Sequence, residues 1–197
     1  MDKSTAITGL IMAGGRGMRM GGVDKGLQRF RGLPMVVRVI GRLKPQVDTV
    51  ILNANQNLEI YSAFGLPVFA DAIPDFAGPL AAVQSGLMHC TTPYMVTVPC
   101  DSPFLPSDLV ARLYIDLLIN DADVAFAVTG SGTQLQKHPV FSVVKTTLLP
   151  QLNTFLATGK RRIDAWHTTV KSVAVHFEDE QAFDNINTPE DLKKHET

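Results

Sequence analysis

The chain has 197 residues, 45% of them hydrophobic and 19% charged, and its net charge is −1. These values are typical of a globular protein and unlike those of a disordered chain or of a protein that coats nucleic acid or an anionic membrane. Because no linker or compositional shift divides the sequence, we expect one domain over residues 1–197, as a monomer or weak oligomer.

The beginning of the chain and the cysteines predict a cellular compartment. Asp2 and Lys3 precede an apolar run that is too short for a secretory signal, and no segment is long enough to span a bilayer. The two cysteines, Cys90 and Cys100, form no CxxC pair, which favours a reducing environment over a disulfide scaffold. We therefore expect a cytoplasmic protein.

Short apolar runs rich in β-branched residues alternate with longer segments of helical period. The apolar runs predict strands at 7–12, 49–53, 67–70, 94–98, 124–128, 139–143 and 173–177. The longer segments predict helices at 34–43, 79–88, 107–119, 146–156 and 188–194. This alternation is typical of βαβ units and predicts an α/β fold, Rossmann-like and three-layered (α/β/α), with a mostly parallel central sheet.

A glycine-rich, basic loop at residues 11–25 follows the first predicted strand. Ligands of a parallel α/β sheet bind beyond the carboxyl ends of its strands. Glycine lets backbone N–H groups approach phosphate oxygens, and Arg16, Arg19 and Lys25 could neutralise a triphosphate. The spacing fits neither the GxxxxGK[ST] phosphate loop nor a clean GxGxxG turn. We interpret the segment as a phosphate-binding loop, with a flexible surface loop as the alternative.

Polar side chains end the next two predicted strands, at Asn53 and Asp71. In a parallel sheet both would lie at the same edge as the glycine loop. Asn can bind a purine edge or a ribose through its donor and its acceptor, and Asp can accept two purine N–H groups. A role as turn residues at the strand ends agrees equally well with the local chemistry.

The fourth predicted strand leads into Asp101, in the run Pro-Cys-Asp-Ser-Pro. A carboxylate at the carboxyl end of a central strand can bind a Mg²⁺ ion that bridges a triphosphate, because this cation prefers hard oxygen ligands. The alternative is an Asp that caps the following turn. Cys100 is interpreted as structural, since no His/Asn arrangement supports a nucleophilic thiol.

Taken together, these motifs resemble those of the molybdenum cofactor guanylyltransferases (MobA type), a branch of the nucleotidyltransferases. The family loop reads approximately LAGGxxxRMGxxDKxL, and this chain carries Met12-Ala13-Gly14-Gly15, Arg19-Met20-Gly21 and Asp24-Lys25-Gly26-Leu27. The resemblance continues in order through P-C-D-x-P-x-L around Asp101 to N-x-N-T-P-E-D-L from Asn185. This chain departs from the family pattern at two positions. Met12 replaces the usual Leu, and in Gly78-Pro79-Leu80-Ala81-Ala82, which matches the family's GPLAG, Ala82 replaces the last glycine.

The resemblance implies a nucleotidyltransferase fold whose N-terminal half binds GTP and Mg²⁺. It assigns to the nucleotide Met12, Ala13, Gly14, Gly15, Gly22, Lys25, Asn53, Asp71, Gly78 and Asp101. Asp101 is then the Mg²⁺ ligand, while Lys25 and Arg19 offset the charge of the triphosphate. The implied reaction transfers GMP from GTP to molybdopterin and releases pyrophosphate. As its mechanism we expect in-line attack of the terminal phosphate of molybdopterin on the α-phosphorus of GTP.

The C-terminal half looks like the family's molybdopterin site, which implies roles for Arg161, Arg162, Trp166, Asn185 and Asn187. Clustered Arg residues suit an acceptor phosphate, and a Trp offers an aromatic face to a flat pterin. A solvated basic turn and a core Trp explain the first three residues equally well. His138-Pro139 also resembles an acceptor-side motif, with a turn before a strand as the alternative.

Two other functions stay open. One is a related nucleotidyltransferase that uses CTP with a pterin or a sugar phosphate. The other is a non-catalytic protein that binds GTP or hands over a cofactor and releases no pyrophosphate. The expected partners are GTP, molybdopterin and, transiently, other molybdenum cofactor biosynthesis proteins and molybdoenzyme chaperones, with neither nucleic acid nor membrane.

Overall fold

The computed structural model describes residues 5–15, 24–73, 78–186 and 191. In chain order its strands are β1 Ile7–Met12, β2 Arg29–Phe30, β3 Leu33–Pro34, β4 Thr49–Asn53, β5 Val68–Phe69, β6 Tyr94–Pro99, β7 Val124–Thr129, β8 Gln136–Lys145 and β9 Ser172–His176. Its α-helices are α1 Met35–Leu43, α2 Leu58–Ser62, α3 Pro79–His89, α4 Leu109–Ile119, α5 Leu149–Ala157 and α6 Ile163–His167. None of these helices is long and apolar enough to cross a membrane.

Seven strands form one sheet in the order β5-β4-β1-β6-β8-β7-β9. Neighbouring strands are parallel except that β8 runs antiparallel to both β6 and β7. In this register Met12 lies opposite Asn53 on one side and Pro99 on the other. The prediction of a mostly parallel sheet is confirmed, and the carboxyl ends of three central strands meet at one edge.

Helices cover both faces of the sheet, which gives the predicted three layers. One core cluster joins the sheet to α1 and α4 through residues such as Val39 and Leu113. The other joins it to α3, α5 and α6 through residues such as Leu80, Leu152 and Trp166. Central strands buried on both faces read as continuous apolar runs, which explains why the sequence predicts them well.

Several elements differ from the sequence prediction. The hairpin of β2 and β3 was not predicted; its two-residue turn, Arg31-Gly32, has positive φ at both positions (48° and 81°), as a type I′ turn requires. The short helices α2 and α6 were also not predicted.

Two predicted helices have different boundaries in the structure. Helix α4 begins at Leu109 rather than at 107, and residues 146–148 form a 3₁₀ turn before α5. The predicted helix at 188–194 lies outside the described residues except for residue 191.

Candidate active site

The glycine loop leaves the sheet between two strands that hold its first residues in place. The Ala13 N–H donates to the Asn53 carbonyl at 2.7 Å, and the Cys100 N–H donates to the Met12 carbonyl at 3.1 Å. A Cβ on Gly14 would lie 2.9 Å from Asn53 Oδ1 and 2.7 Å from Asn55 Nδ2, so the backbone is packed closely there. A Cβ on Gly15 would meet no atom within 4 Å, so this residue faces open space.

Lys25 and Asp101 face each other at this edge of the sheet. Lys25 begins a 3₁₀ turn, Lys25–Leu27, and its Nζ lies 3.3 Å from Asp101 Oδ2. The two side chains are only 23% and 12% exposed, so both charges are largely removed from water. Burial raises the pKa of the Asp101 carboxyl above its ordinary value, and the Lys25 ammonium opposes that rise. Lys25 and Asp101, which the resemblance assigns to the same triphosphate, are therefore neighbours in the structure.

A hydrogen-bond network joins Asp71 to the ends of β1 and β4. Asn53 Nδ2 and Asn55 Nδ2 donate to the two Asp71 carboxylate oxygens at 3.0 and 2.7 Å. Asn55 Nδ2 also lies 3.1 Å from the Gly14 carbonyl, and its Oδ1 accepts the Asp71 N–H. Asn55, which the sequence analysis did not assign to the site, therefore fixes Asp71 relative to the glycine loop.

One acceptor in this network is buried without a partner. Asn53 Oδ1 has no hydrogen-bond partner among the described residues, although Asn53 is fully buried. Buried polar atoms in proteins are nearly always paired, with protein, water or ligand. An N–H or O–H donor of a bound molecule at this edge would satisfy it.

Gly78 starts helix α3 in a conformation that L-residues rarely adopt, with φ 91° and ψ −177°. The nearest atom to a Cβ at this position would be the Arg161 carbonyl oxygen, at 3.9 Å. The start of α3, which the resemblance implies for the nucleotide, therefore adjoins the Arg-rich turn that it implies for the acceptor. Residues 74–77, just before Gly78, lie outside the described residues.

The two arginines of that turn have different surroundings. Arg161 Nη1 donates to the carbonyls of Leu156 and Lys160 at 2.7 and 2.9 Å, so it caps the end of α5. Arg162 forms an ion pair with Asp164 at 2.6 Å while its side chain stays 81% exposed. An exposed pair of this kind is weak and can be exchanged for a ligand anion.

The expected stacking of a pterin on Trp166 is contradicted. The Trp166 ring is fully buried in the core between the sheet and helices α3, α5 and α6, and its Nε1 donates to Gln151 Oε1 at 2.6 Å. Helix α6 turns both Ile163 and Trp166 inward, because residues three apart share a helix face. Trp166 is therefore a core residue, the alternative that the sequence left open.

The C-terminal run lies against the Asp101 turn. The Ile186 N–H donates to the Asp101 carbonyl at 2.9 Å, and Ser102 Oγ donates to Asn185 Oδ1 at 2.5 Å. Asn185 thus lies next to the predicted metal ligand. Three other predicted site residues, Arg19, Gly22 and Asn187, lie outside the described residues.

His138 also lies at this edge, because β8 runs opposite to its neighbours and begins where they end. Its Nε2 is 2.9 Å from Thr129 Oγ1, and its ring stacks on Phe183 at 4.7 Å between centroids. Burial lowers the pKa of His138, with the charge of Asp184 opposing the shift. Burial therefore favours the neutral imidazole, and the contacts with Thr129 and Phe183 orient the ring.

Among the described residues, Asp101 offers a carboxylate at this edge of the sheet. Within residues 5–15, 24–73, 78–186 and 191 there is no group of three or more His, Cys, Asp or Glu side chains that could hold a metal. A single carboxylate together with substrate phosphate oxygens and water is a common way to bind Mg²⁺. The donor set at Asp101 fits that ion and not a preformed zinc or calcium cage.

Comparison with known proteins identifies the family. Residues 9–171 match the MobA-like NTP transferase domain. The molybdenum cofactor guanylyltransferase of Bordetella petrii is 52% identical over 98% of this chain and 99% of its own, and that of Ralstonia nicotianae is 51% identical over 98% of each.

Solved structures agree on the fold. Molybdopterin-guanine dinucleotide biosynthesis protein A from Archaeoglobus fulgidus superposes with a TM-score of 0.77 at 20% identity, over 96% of both chains. The 4-diphosphocytidyl-2C-methyl-D-erythritol synthase of Anaerococcus prevotii superposes with a TM-score of 0.78 at 14% identity, over 98% of this chain and 97% of its own. The chain is a nucleotidyltransferase and belongs to the molybdenum cofactor guanylyltransferase family.

Proposed function

We propose that this enzyme transfers GMP from GTP to the terminal phosphate of the molybdopterin form of the molybdenum cofactor. The observation that carries the proposal is the largely buried Lys25–Asp101 pair, whose Nζ and Oδ2 atoms are 3.3 Å apart at the carboxyl edge of the sheet. Removing two charges from water is costly, so a fold gains little stability from such a pair. A cation and a carboxylate held ready at a phosphate-binding edge instead suit a polyphosphate with its metal ion.

The proposed chemistry is a single displacement at the α-phosphorus of GTP. An oxygen of the acceptor phosphate forms the new P–O bond, and the bond to the β-phosphate breaks, so that pyrophosphate leaves with the electron pair. No protein nucleophile is required, and catalysis consists of positioning and charge neutralisation. The Lys25 ammonium has three N–H donors, so it can bond a phosphate oxygen while it keeps Asp101 as a neighbour.

Asp101 is the residue proposed to hold Mg²⁺, which when bound would neutralise charge on the triphosphate. The ionised form of the carboxylate is the one that binds a cation. Because burial raises the pKa of Asp101, metal affinity and activity should fall as the pH drops through that raised value.

The Asp71 network supports a guanine base over a cytosine. An ionised carboxylate can only accept hydrogen bonds, and guanine presents two N–H donors, N1–H and N2–H, on one edge. Asn53 and Asn55 fix the Asp71 oxygens for such a contact, and Asn53 Oδ1 adds a further acceptor. Cytosine carries one donor group, the N4 amino group, next to acceptors at N3 and O2, so it cannot present two neighbouring N–H donors to the Asp71 carboxylate, which disfavours CTP.

The acceptor is proposed to bind between the start of α3 and the C-terminal segments. Arg161 and Arg162 would face its phosphate, with Asn185 and Asn187 next to the Asp101 turn. Two observations support this arrangement: a Cβ on Gly78 would lie 3.9 Å from the Arg161 carbonyl oxygen, and the Ile186 N–H donates to the Asp101 carbonyl. Trp166 is left out of the acceptor site because it is buried.

The proposal is tested by combining purified protein with GTP, Mg²⁺ and molybdopterin and measuring pyrophosphate and the dinucleotide product. We expect Asp101→Asn to lower kcat by about 100-fold or more, as the loss of a group that stabilises transition-state charge does. Its thermal unfolding should stay close to that of the wild type, because the Asn amide oxygen can still accept the Lys25 hydrogen bond and burial disfavours the charge that the substitution removes.

Asp121→Asn is the matched control, since Asp121 lies just before β7 at the opposite edge of the sheet, where it is 89% exposed and pairs with Lys171. It should retain wild-type turnover. Near-normal turnover of Asp101→Asn at saturating Mg²⁺ would reject the metal assignment. GTP binding without pyrophosphate release would reject catalysis, and a preference for CTP in a competition assay would reject the base assignment.

A further inference from the structure

A buried polar cluster lies beneath the turn that carries Lys25. Asp24 is only 7% exposed, and its Oδ1 accepts a hydrogen bond from the Tyr61 hydroxyl at 2.5 Å. Its Oδ2 accepts from Asn57 Nδ2 at 3.0 Å. These contacts span 37 and 33 residues of sequence. They therefore tie the Lys25 turn to helix α2 and to the residue that precedes it.

The Asp24 side chain does not cap the turn that follows it. Asp24 precedes the 3₁₀ turn Lys25–Leu27, but its carboxylate makes no capping hydrogen bond there. The turn is closed instead by the Asp24 carbonyl, which accepts from the Leu27 N–H at 3.2 Å. A buried carboxylate is costly unless it is hydrogen-bonded, so Asp24 depends on Tyr61 and Asn57.

The same cluster reaches the Asp101 side of the site. A Cβ on Gly26 would collide with the Tyr61 hydroxyl and would lie 3.2 Å from Cys100 Sγ. Tyr61, Gly26 and Cys100 therefore meet at one buried point, with Lys25 and Asp101 as the next residues on either side. Burial raises the pKa of the Tyr61 phenol, so its hydroxyl remains a neutral donor at physiological pH.

We propose that Tyr61 is a positioning residue, whose hydroxyl acts through Asp24 to hold the Lys25 turn against the Asp101 turn before the nucleotide binds. The inference rests on the proposed function, in which Lys25 acts on the triphosphate. Tyr61 is fully buried and does not reach the open side of the site, so its effect passes through Lys25. A fixed ammonium loses less freedom on binding phosphate than a mobile one, and this lowers the barrier.

The test is a double-mutant cycle between Tyr61→Phe and Lys25→Ala in the full chain. Tyr61→Phe removes one hydroxyl and keeps the ring that packs on Phe64. We expect it to lower kcat/KM for GTP by about 10-fold, as the loss of an outer-layer partner does. In the Lys25→Ala background it should change kcat/KM by less than about 2-fold, because the two residues act as one unit.

Tyr114→Phe is the matched control. Its ring contacts Tyr94 edge-to-face on the α4 side, away from this cluster, and the substitution should leave kcat/KM unchanged. Where turnover of the Lys25→Ala enzyme is too slow to measure, the Kd for GTP with Mg²⁺ from calorimetry completes the same cycle. Asp24→Asn keeps the side-chain shape and serves as a second variant, which should show the same dependence on Lys25.

Three outcomes would overturn the inference. One is unchanged kcat/KM in Tyr61→Phe. The second is an equal loss in both backgrounds, since general structural damage does not depend on Lys25. The third is an unaffected Lys25→Ala enzyme, which would reject the proposed role of Lys25 together with the inference. Only this third result counts against the proposed function, so the two failures are distinguishable.

Discussion

Burial raises the pKa of acidic side chains in this protein and lowers the pKa of histidines. It raises the pKa of the Asp101 carboxyl and of the Cys100 thiol, and it lowers that of His167 to about 4. A thiol that stays protonated is a poor nucleophile, which supports a structural role for Cys100. In each case the uncharged form is favoured because the protein interior solvates charge poorly.

His167 should make the fold sensitive to acid. Neither ring nitrogen of His167 has a hydrogen-bond partner among the described residues. Burial lowers the pKa of the ring from 6.5 to about 4; the charge of Asp164 opposes this shift, and the charge of Lys137 adds to it. The folded state favours the neutral ring, so its stabilising contribution is complete above pH 6.5 and is lost as the pH falls towards 4. The loss should reach about 3 kcal/mol, as 1.36 kcal/mol per unit of pKa implies.

Urea unfolding between pH 7 and 4.5 measures this effect. The free energy of unfolding should decline less steeply in His167→Phe than in the wild type. Parallel slopes for His167→Phe and the wild type would show that His167 is not the group responsible.

At the level of residues, local motifs predicted the side chains that line the site better than the buried side chains that hold them in position. Lys25 and Asp101 were predictable because each occurs in a motif at the end of a strand. The bond between Asp24 and Tyr61 was not, since it joins residues 37 apart and neither side chain carries a distinguishing pattern. A Trp near arginines suits a pterin, which is why the sequence pattern favours a ligand role for Trp166. Helix α6 is too short to give a periodic signal, so the pattern does not show that this helix places Trp166 in the core.

At the level of elements, the distance between a helix and the sheet is set by small residues. Gly86 of α3 packs on the sheet so closely that a Cβ would lie 2.5 Å from Leu10 Cδ2 and 3.0 Å from Met95 Sδ. Both neighbours are fully buried and have little room to move. Gly41 of α1 is exposed, and a Cβ there would meet nothing within 4 Å.

The same substitution should therefore have opposite effects in the two helices. Gly86→Ala should destabilise the protein by about 1–3 kcal/mol, because it overpacks the core. Gly41→Ala should stabilise it by about 0.5–1 kcal/mol, because alanine favours helix and restricts the unfolded chain. Chemical denaturation of the two variants measures both values. A gain in stability for Gly86→Ala would show that α3 does not pack so tightly.

Elements were predictable where hydrophobic pattern alone decides them. Buried strands such as β1, β6 and β7 are short, mostly apolar runs, and the sequence predicts them to within one residue. Helix α2 has five residues and starts after Asn57, which has a left-handed backbone (φ 54°), so neither its period nor its start resembles an ordinary helix. The long β8 was predicted too short because its first residues are polar and partly exposed.

At the level of the whole molecule, the two hydrophobic cores share one sheet and should not unfold separately. The only tryptophan of the sequence, Trp166, lies in the core on the α3, α5 and α6 side. Far-UV circular dichroism reports all helices and strands, including α1 and α4 on the other face.

We expect fluorescence of Trp166 and circular dichroism to give the same urea midpoint, as a single cooperative unit requires. This is the test of the single-domain prediction. A lower urea midpoint for one of the two probes would show that the cores on the two faces of the sheet unfold separately. Gly86→Ala, which disturbs only the α3 side, should shift both midpoints together.

The pairing of β1 with both of its neighbours also limits how this protein can diverge. Met12 lies level with Asn53 and with Pro99. Inserting or deleting one residue inside any of these three strands would slide its end by about 3.3 Å and turn its side chains to the opposite face. Natural length variation should therefore accumulate in the helices and connections, where an added residue leaves the spacing between strand ends unchanged.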